Sequence, residues 1–507
     1  MDLTSRLRSI VRPGGAPREG AERVPASDRA GVWGGTPAKN ELTYEPDTGR
    51  YEATIDIDRV ADVLGGQVVS NRFGRALIVD RRYESDRFHG TRRVGDCHVE
   101  DGDTLKLLDP TLPPRDQGIG ACGAGEAGAR TLFVDLETTG LSGGAGTVAF
   151  LVGCGWFDMG AFQVRQFLLT SYASERALLC AVAECFGATS LLVTYNGKTF
   201  DVPVMETRWM FHRMPLPLES VRHFDMLHPA RRLWGTRGVH ASRMERPATR
   251  PRNGASVSEG PEGTAAERRP RAPNEEGGCR LGTLERVLCD VTRVGDIPGM
   301  DIPARYFRFL RSGDARPLEP VLEHNRLDLI SLAAVCAHAV QLVEEGIPRC
   351  RDAAEALALG KVYERAGSVD RAIAAYQRAA ADPSAHLDVG LEATYRLGLR
   401  FRRDRRHADA AGCWRRLLEV KQGRSGPHSA LLAPLRQYAV EALAVHHEHR
   451  ERDYEGAKEL TLRLLDECED TRPPSTKPRP GKTEATRHRL ARLEKKIAKK
   501  NDNHLFA

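Results

Sequence analysis

The sequence predicts an α/β domain built on a mixed sheet, followed by an all-α region of helical repeats. Three observations carry this expectation. Three β-like runs in a row, TLFVDLET, TVAFLVGCGWF and FQVRQFLL, give way to alternating helical and strand patterns up to about residue 345. Beyond residue 350 the apolar periods are helical only. The segment LGKVYERAGSVDRAIAAYQRA also matches LGLRFRRDRRHADAAGCWRRL further along, pairing Gly360 with Gly398, Ala372 with Ala410 and Tyr376 with Trp414.

Residues 1–40 are rich in Gly, Pro, Ala and Arg without an apolar period and read as a disordered leader. They contain no apolar core, so they are not a secretory signal. No stretch approaches the apolar length needed to span a bilayer, and a cytoplasmic protein without a membrane partner is expected. Eleven cysteines are scattered with no CxxC pair, which argues against a disulfide framework or a clustered zinc site and for reduced, mostly buried thiols. A net charge of +6 is compatible with a polyanionic partner but does not demonstrate one. Function must therefore be read from motifs.

Residues 41–125 form a small β-rich N-terminal region, with the runs YEATIDI, RALIVDRRY and TLKLL broken by GG, GD and DG turns. It is either a module of its own or an extension of the next domain. The main α/β domain is expected over residues 126–345. After its three leading strands, SERALLCAVAECF reads as a helix with Ser174 as N-cap candidate, and SLLVTYNG as a short buried strand. DVPVMETRWMFH follows as a helix with Pro203 in its first turn, and HFDML as a further strand. Residues 236–278 hold almost no large apolar side chains and read as a disordered insertion. Helices resume at RLGTLERVLC, at IPARYFRFLRSG and at LEPVLEHNRLDLISLAAVCAHAVQLVEEG.

The repeats occupy residues 350–470. Small residues at a helix crossing, a turn, and then an aromatic residue are a tetratricopeptide-like pattern, with its usual period of about 34 stretched. A fainter third copy, AVHHEHRERDYEGAKELTLRLL, puts Ala457 at the alanine position. Stacked helical pairs of this kind make concave faces for docking a protein partner. The basic tail at 471–507 ends in RHRLARLEKKIAKK, which reads as a solvated charged helix in preference to a nucleic-acid contact.

Asp135 and Glu137 stand one residue apart at the end of an apolar strand, so both project from the same face. Two neighbouring carboxylates repel, and each must be solvated, protonated or bound to cations. A hard divalent cation such as Mg2+ relieves the conflict. Further along, TYNGKTFDVP supplies Asn196, Phe200 and Asp201 at a strand-to-helix junction, where Asp201 also suits a helix N-cap. EHNRLDLISL places His324 four residues before Asp328, on one helical face. His324 suits the task of orienting or deprotonating a water, because an unperturbed histidine titrates near 6.5.

FVDLETTG with these two later motifs resembles the DEDD-type exonuclease superfamily. The runs ETTGLSGGAGTVAFLVG, YNGKTFDVP, HPARRLW, CRLGTLE, IPARYF and EHNRLDLISL resemble its YprB-like group of exonucleases most closely, over residues 131 to about 340. The resemblance implies a ribonuclease H-like fold and two-metal 3′–5′ exonuclease chemistry on single-stranded or 3′-ended DNA or RNA. It implies two Mg2+ or Mn2+ ions held by Asp135, Glu137, Asp201 and Asp328. One departure stands out: the superfamily places a tyrosine four residues, or a histidine five, before the last aspartate, whereas His324 precedes Asp328 by four. Asn196, Lys198, Arg231 and Arg232 are weaker candidates for substrate contacts. Asp225 is expected near the site, as a supporting acid or a structural one. Two rival readings stay open: a non-catalytic nucleic-acid-binding adaptor, and a structure-selective endonuclease on the same fold.

Overall fold

The computed structural model describes residues 42–45, 50–53, 55–100, 102–114, 130–140, 146–218, 221–235, 279–420, 429–470 and 480–505. The expected leader at 1–40 and insertion at 236–278 lie outside the described residues.

Strands β1 (Leu42–Glu45) and β2 (Arg50–Ala53) pair with each other alone. Helix α1 (Ile57–Leu64) follows, started by Asp56 accepting from the backbone of Asp58 and stopped by Gly65 in the left-handed conformation. Next come β3 (Gln67–Asn71), β4 (Gly74–Tyr83), the small pair β5 (Phe88–His89) and β6 (Arg92–Arg93), and α2 (Thr104–Leu108). The central meander is β7 (Arg130–Thr138), β8 (Ala149–Asp158) and β9 (Ala161–Leu168). It leads to α3 (Glu175–Phe186), β10 (Thr189–Thr194), α4 (Asp201–Phe211), β11 (Arg222–Asp225) and α5 (Leu227–Trp234). Helices α6 (Leu281–Cys289), α7 (Ile302–Ser312) and α8 (Glu319–Glu345) complete this part.

One seven-stranded mixed sheet runs in the order β11-β10-β7-β8-β9-β4-β3. Strands β10 and β11 are parallel to β7, and the others pair antiparallel. The N-terminal hairpin β3–β4 is thus joined to the sheet, with Val79 opposite Gln166 and Leu77 opposite Leu168. On the open question of residues 41–125, this favours extension over a separate module.

Alternation along β7 sorts its side chains between two cores. Leu132, Val134 and Leu136 pack with α3, α4 and α7, whereas Phe133 joins the layer built on α8. Asp135 and Glu137 share the Phe133 face, as the sequence predicts. The apolar length of α8 corrects one expectation. By length and composition the segment Arg316–Glu345 is long enough to cross a bilayer, but 72% of its apolar window is buried inside the fold, so its hydrophobicity is that of a core helix. Ser174 precedes α3 without capping it; its hydroxyl donates to the Ser171 carbonyl at 2.8 Å instead.

Helices α9 (Ala353–Arg365) with α10 (Val369–Ala381), and α11 (Leu387–Arg403) with α12 (His407–Glu419), are the two clear repeat copies. A side chain at Gly360 would reach within 2.5 Å of the Tyr376 ring, and one at Gly398 within 2.5 Å of Trp414. The matched glycines therefore exist to admit the matched aromatics. The turns also correspond, with Gly367 at φ 79° and Arg405 at φ 61°. The longer spacing between copies has a simple origin: α11 has 17 residues and α9 has 13, one extra helical turn. Helices α13 (Ser429–His446) and α14 (Tyr454–Asp470) hold the third copy, in which Ala457 is buried and Thr461 replaces the aromatic.

The basic helix at the end, α15 (Pro480–Leu505), is docked rather than wholly solvated. Leu493 is buried, and the buried Glu448 carboxylate accepts from Arg492 and from Lys496 at 2.8 Å. The sequence reading missed this because Glu448 lies outside the helix that carries its partners.

Candidate active site

Four acids from three elements converge at the carboxyl end of β7. Asp135 and Glu137 come from the strand, where the pairing with β8 slips by one residue just after Glu137. Asp201 is the first residue of α4, buried at 5% exposure, and the Leu136 backbone between the two strand acids stabilises its charged form. Asp328 comes from α8.

Their electrostatics report the convergence. Burial pushes the Asp135 carboxyl well above the usual range, and the charges of Asp328, Glu137 and Asp201 push it further. Glu137 rises for the same reasons, through burial and then Asp328, Asp201 and Asp296. Asp201 is pushed up to about 7, mainly by burial. Asp135 and Glu137 thus carry the repulsion of the neighbouring acids as well as the cost of burial, and both favour bound protons or a cation. The donors are all hard oxygen atoms in a buried, mutually repelling set, which suits a divalent ion of the Mg2+ or Mn2+ type. No three of the four acids bring their oxygen atoms within 4.8 Å of one another. Among the described residues only His447, Glu451 and Asp453 in the repeats bring three such atoms within 4.8 Å, and there Asp453 serves as the N-cap of α14, accepting from Gly456.

Asp135 is held in place from behind. The Asn325 amide donates to its Oδ2 at 2.8 Å and accepts from Gln166 Nε2 at 2.8 Å, and Gln166 in turn accepts from Arg326 at 3.2 Å. Gly153 on β8 makes this possible, because any side chain there would collide with the Asn325 amide.

His324 lies beside the acids. Its Nδ1 is 2.7 Å from Asp296 Oδ1, and its Nε2 is 3.6 Å from Asp328 Oδ2. The carboxylate fixes the tautomer with a proton on Nδ1 and leaves Nε2 facing the cluster. Burial alone would raise the Asp296 carboxyl, but the hydrogen bond and charge of His324, with those of Arg293, hold it below its ordinary value.

The chain's relatives agree with this fold. Residues 132–247 and 267–340 match the profile of a family described as RNase_H superfamily. The chain is also 30% identical over 372 residues to the uncharacterized protein YprB of Bacillus subtilis (strain 168), covering 72% of this chain and 75% of the relative. The chain belongs to the YprB family within the ribonuclease H superfamily. That superfamily carries nuclease-type hydrolysis of nucleic acid and generally uses divalent metals. The profile match also breaks between 247 and 267, inside the stretch read as an insertion.

In this YprB-family chain three of the four weaker candidates have structural partners. Lys198 reaches back to Asp109 at 3.3 Å. Arg232 donates to the Leu108 carbonyl at 2.9 Å, so both tie the N-terminal segment to the domain. Arg231 is exposed on α5. Asn196 adopts φ 70° and accepts from Thr199 at 2.7 Å, serving the turn. Asp225 is structural: its carboxylate accepts from the backbone of Asn196, Lys198 and Leu227, holding the loop that delivers Asp201.

Arg293 is the residue that motif reading missed. It donates twice to Glu285, at 2.6 and 2.8 Å, and reaches Asp296 at 3.1 Å and Asp328 at 2.5 Å. Buried arginine holds several carboxylates at once because its guanidinium presents a rigid fork of donors. The only sequence signal was the RVGD turn, in which Arg293 and Asp296 flank Val294 and Gly295 (φ 74°).

Proposed function

We propose that this protein is a metal-dependent 3′–5′ exonuclease that hydrolyses phosphodiester bonds of DNA or RNA by a two-metal-ion mechanism. The observation that carries this reading is that burial and the charges of Asp201 and Asp328, from a helix start and a helix face, raise both strand acids Asp135 and Glu137. Bound divalent ions would acidify a water and neutralise charge developing on the phosphate. Asp135, Glu137, Asp201 and Asp328 would hold them. Asn325 keeps Asp135 from rotating, and Gly153 keeps Asn325 in place. His324 accepts a proton from the attacking water at Nε2, and Asp296 stabilises the imidazolium that results.

The helical region is read as tetratricopeptide-like repeats that dock a protein partner. A cavity of about 390 Å³ lined by Trp414, Tyr438, His446 and His449 supports such a role.

Single strands of DNA and RNA labelled at either end, with and without a blocked 3′ terminus, test the reaction. With Mg2+ or Mn2+ the expected products are mononucleotides released from the 3′ end, and the blocked strand persists. Internal cutting of the blocked strand would mark an endonuclease. Binding without hydrolysis of any substrate would mark an adaptor.

A further inference from the structure

We infer that the tip of the β3–β4 hairpin and the start of α3 form a guiding surface for single-stranded nucleic acid leading to the acid cluster; this rests on the nuclease reading above. Strand register places the surface. Glu137 lies opposite Leu151, Leu151 opposite Leu168, and Leu168 opposite Leu77. The hairpin turn at 71–74 therefore projects from the same end of the sheet as the acids, about 15 to 20 Å away by strand spacing and rise, with α3 on the face opposite Asp135 and Glu137, so that a bound strand would cross the end of the sheet. The turn is clamped to α3, because Asn71 Nδ2 donates to the Ala177 carbonyl at 2.8 Å.

This clamp brings two arginines to one ring. The Arg72 guanidinium lies 4.7 Å from the centre of the Phe73 ring, and that of Arg176 lies 4.1 Å from it. Both arginines are exposed, and neither has a carboxylate partner among the described residues. Neighbouring Arg75 is different, being paired with Asp58. Tyr172, 48% exposed, follows β9 at the same end of the sheet. Arg176 also stands in the first turn of α3, where the helix dipole disfavours a cation. Its placement there serves charge presentation better than helix stability. Guanidinium groups beside aromatic rings are what a single strand recognises: phosphates meet the cations, and bases stack on rings and guanidinium planes.

The test measures anisotropy of fluorescein-labelled oligothymidylate, fifteen and three nucleotides long, with the full chain in EDTA so that nothing is hydrolysed. For the double variant Arg72→Ser, Arg176→Ser, the Kd of the fifteen-mer is expected to rise about tenfold. The slope of its logarithm against log salt should fall by about 1.4, two contacts at roughly 0.7 each. Binding of the trinucleotide, too short to leave the acids, should not change. Phe73→Leu, which keeps an apolar side chain, should weaken the fifteen-mer a few-fold. A double variant with wild-type affinity and salt slope for the fifteen-mer would overturn the proposal while leaving the nuclease reading intact. A wild-type protein that binds neither strand in EDTA would also overturn the guiding surface, while the nuclease reading, which needs the metal, is decided by the digestion of end-labelled strands.

Discussion

Asp135→Asn is expected to lower divalent-metal-dependent hydrolysis by about a thousandfold or more, equivalent to several kcal/mol of lost transition-state stabilisation. The fold should survive. The asparagine has nearly the same shape, and its side-chain oxygen can still accept from Asn325, which donates to Asp135 at 2.8 Å. The loss should fall on kcat, because the carboxylate acts on the reacting centre and not on the length of the strand. Initial rates with a 3′-labelled single strand, beside a thermal melt of each protein, measure this. Wild-type rates from a well-folded Asp135→Asn protein would remove Asp135 from the metal site.

His324→Ala carries the second large effect, about a hundred- to ten-thousandfold in kcat, the usual contribution of a positioned acid–base group. The Asp296–His324 contact at 2.7 Å is what distinguishes this histidine from a packing residue. Asp296→Asn keeps a hydrogen-bond acceptor but removes the charge that supports the imidazolium. Its cost should be smaller, about ten- to a hundredfold, in line with partners that act through another side chain. An alanine variant with an unchanged rate would leave His324 as packing alone.

The sheet was legible because TLFVDLET and TVAFLVGCGWF are short apolar runs and FQVRQFLL alternates, and the domain's helices were legible by their apolar period. The acids were legible for a related reason. Asp135 and Glu137 occupy alternate positions of one strand, and His324 and Asp328 occupy one helical face, so local geometry sufficed to group them. Asp201 needed more, since only the resemblance to known motifs tied it to the others. The internal repeat also carried physical content, because Gly360 and Gly398 lie against Tyr376 and Trp414, the aromatics matched between the two copies.

What stayed hidden was the shell that holds the acids. The contacts of Asn325 with Asp135 and with Gln166 span 190 and 159 residues, and no local pattern links such positions. Gly153 inside an apolar strand was a visible hint, since a glycine there marks a close approach by another group. Arg293 sits in a short loop between helices, where a sequence reading expects only solvent. The partners of two cations stayed hidden for one reason. Lys198 and Arg232 were assigned by proximity to motifs, but the N-terminal segment that receives them, at Asp109 and Leu108, joins the domain only in three dimensions.

The central claim is that buried, repelling carboxylates are reconciled by divalent ions, and a thermal melt across pH with and without Mn2+ tests it most directly. A carboxyl whose folded pKa lies above its unfolded value stabilises the protein at low pH and loses that contribution as pH rises through the folded value. For Asp201 the window runs from about 4 to about 7, and Asp135 and Glu137 shift in the same direction. Without metal, this cluster should therefore lower the Tm between pH 5 and pH 8, and Asp135→Asn should recover part of the loss. Saturating Mn2+ should raise the wild-type Tm by more at pH 8 than at pH 5, and raise that of Asp135→Asn far less. A Tm indifferent to Mn2+ at both pH values, in wild type and variant alike, would contradict the account.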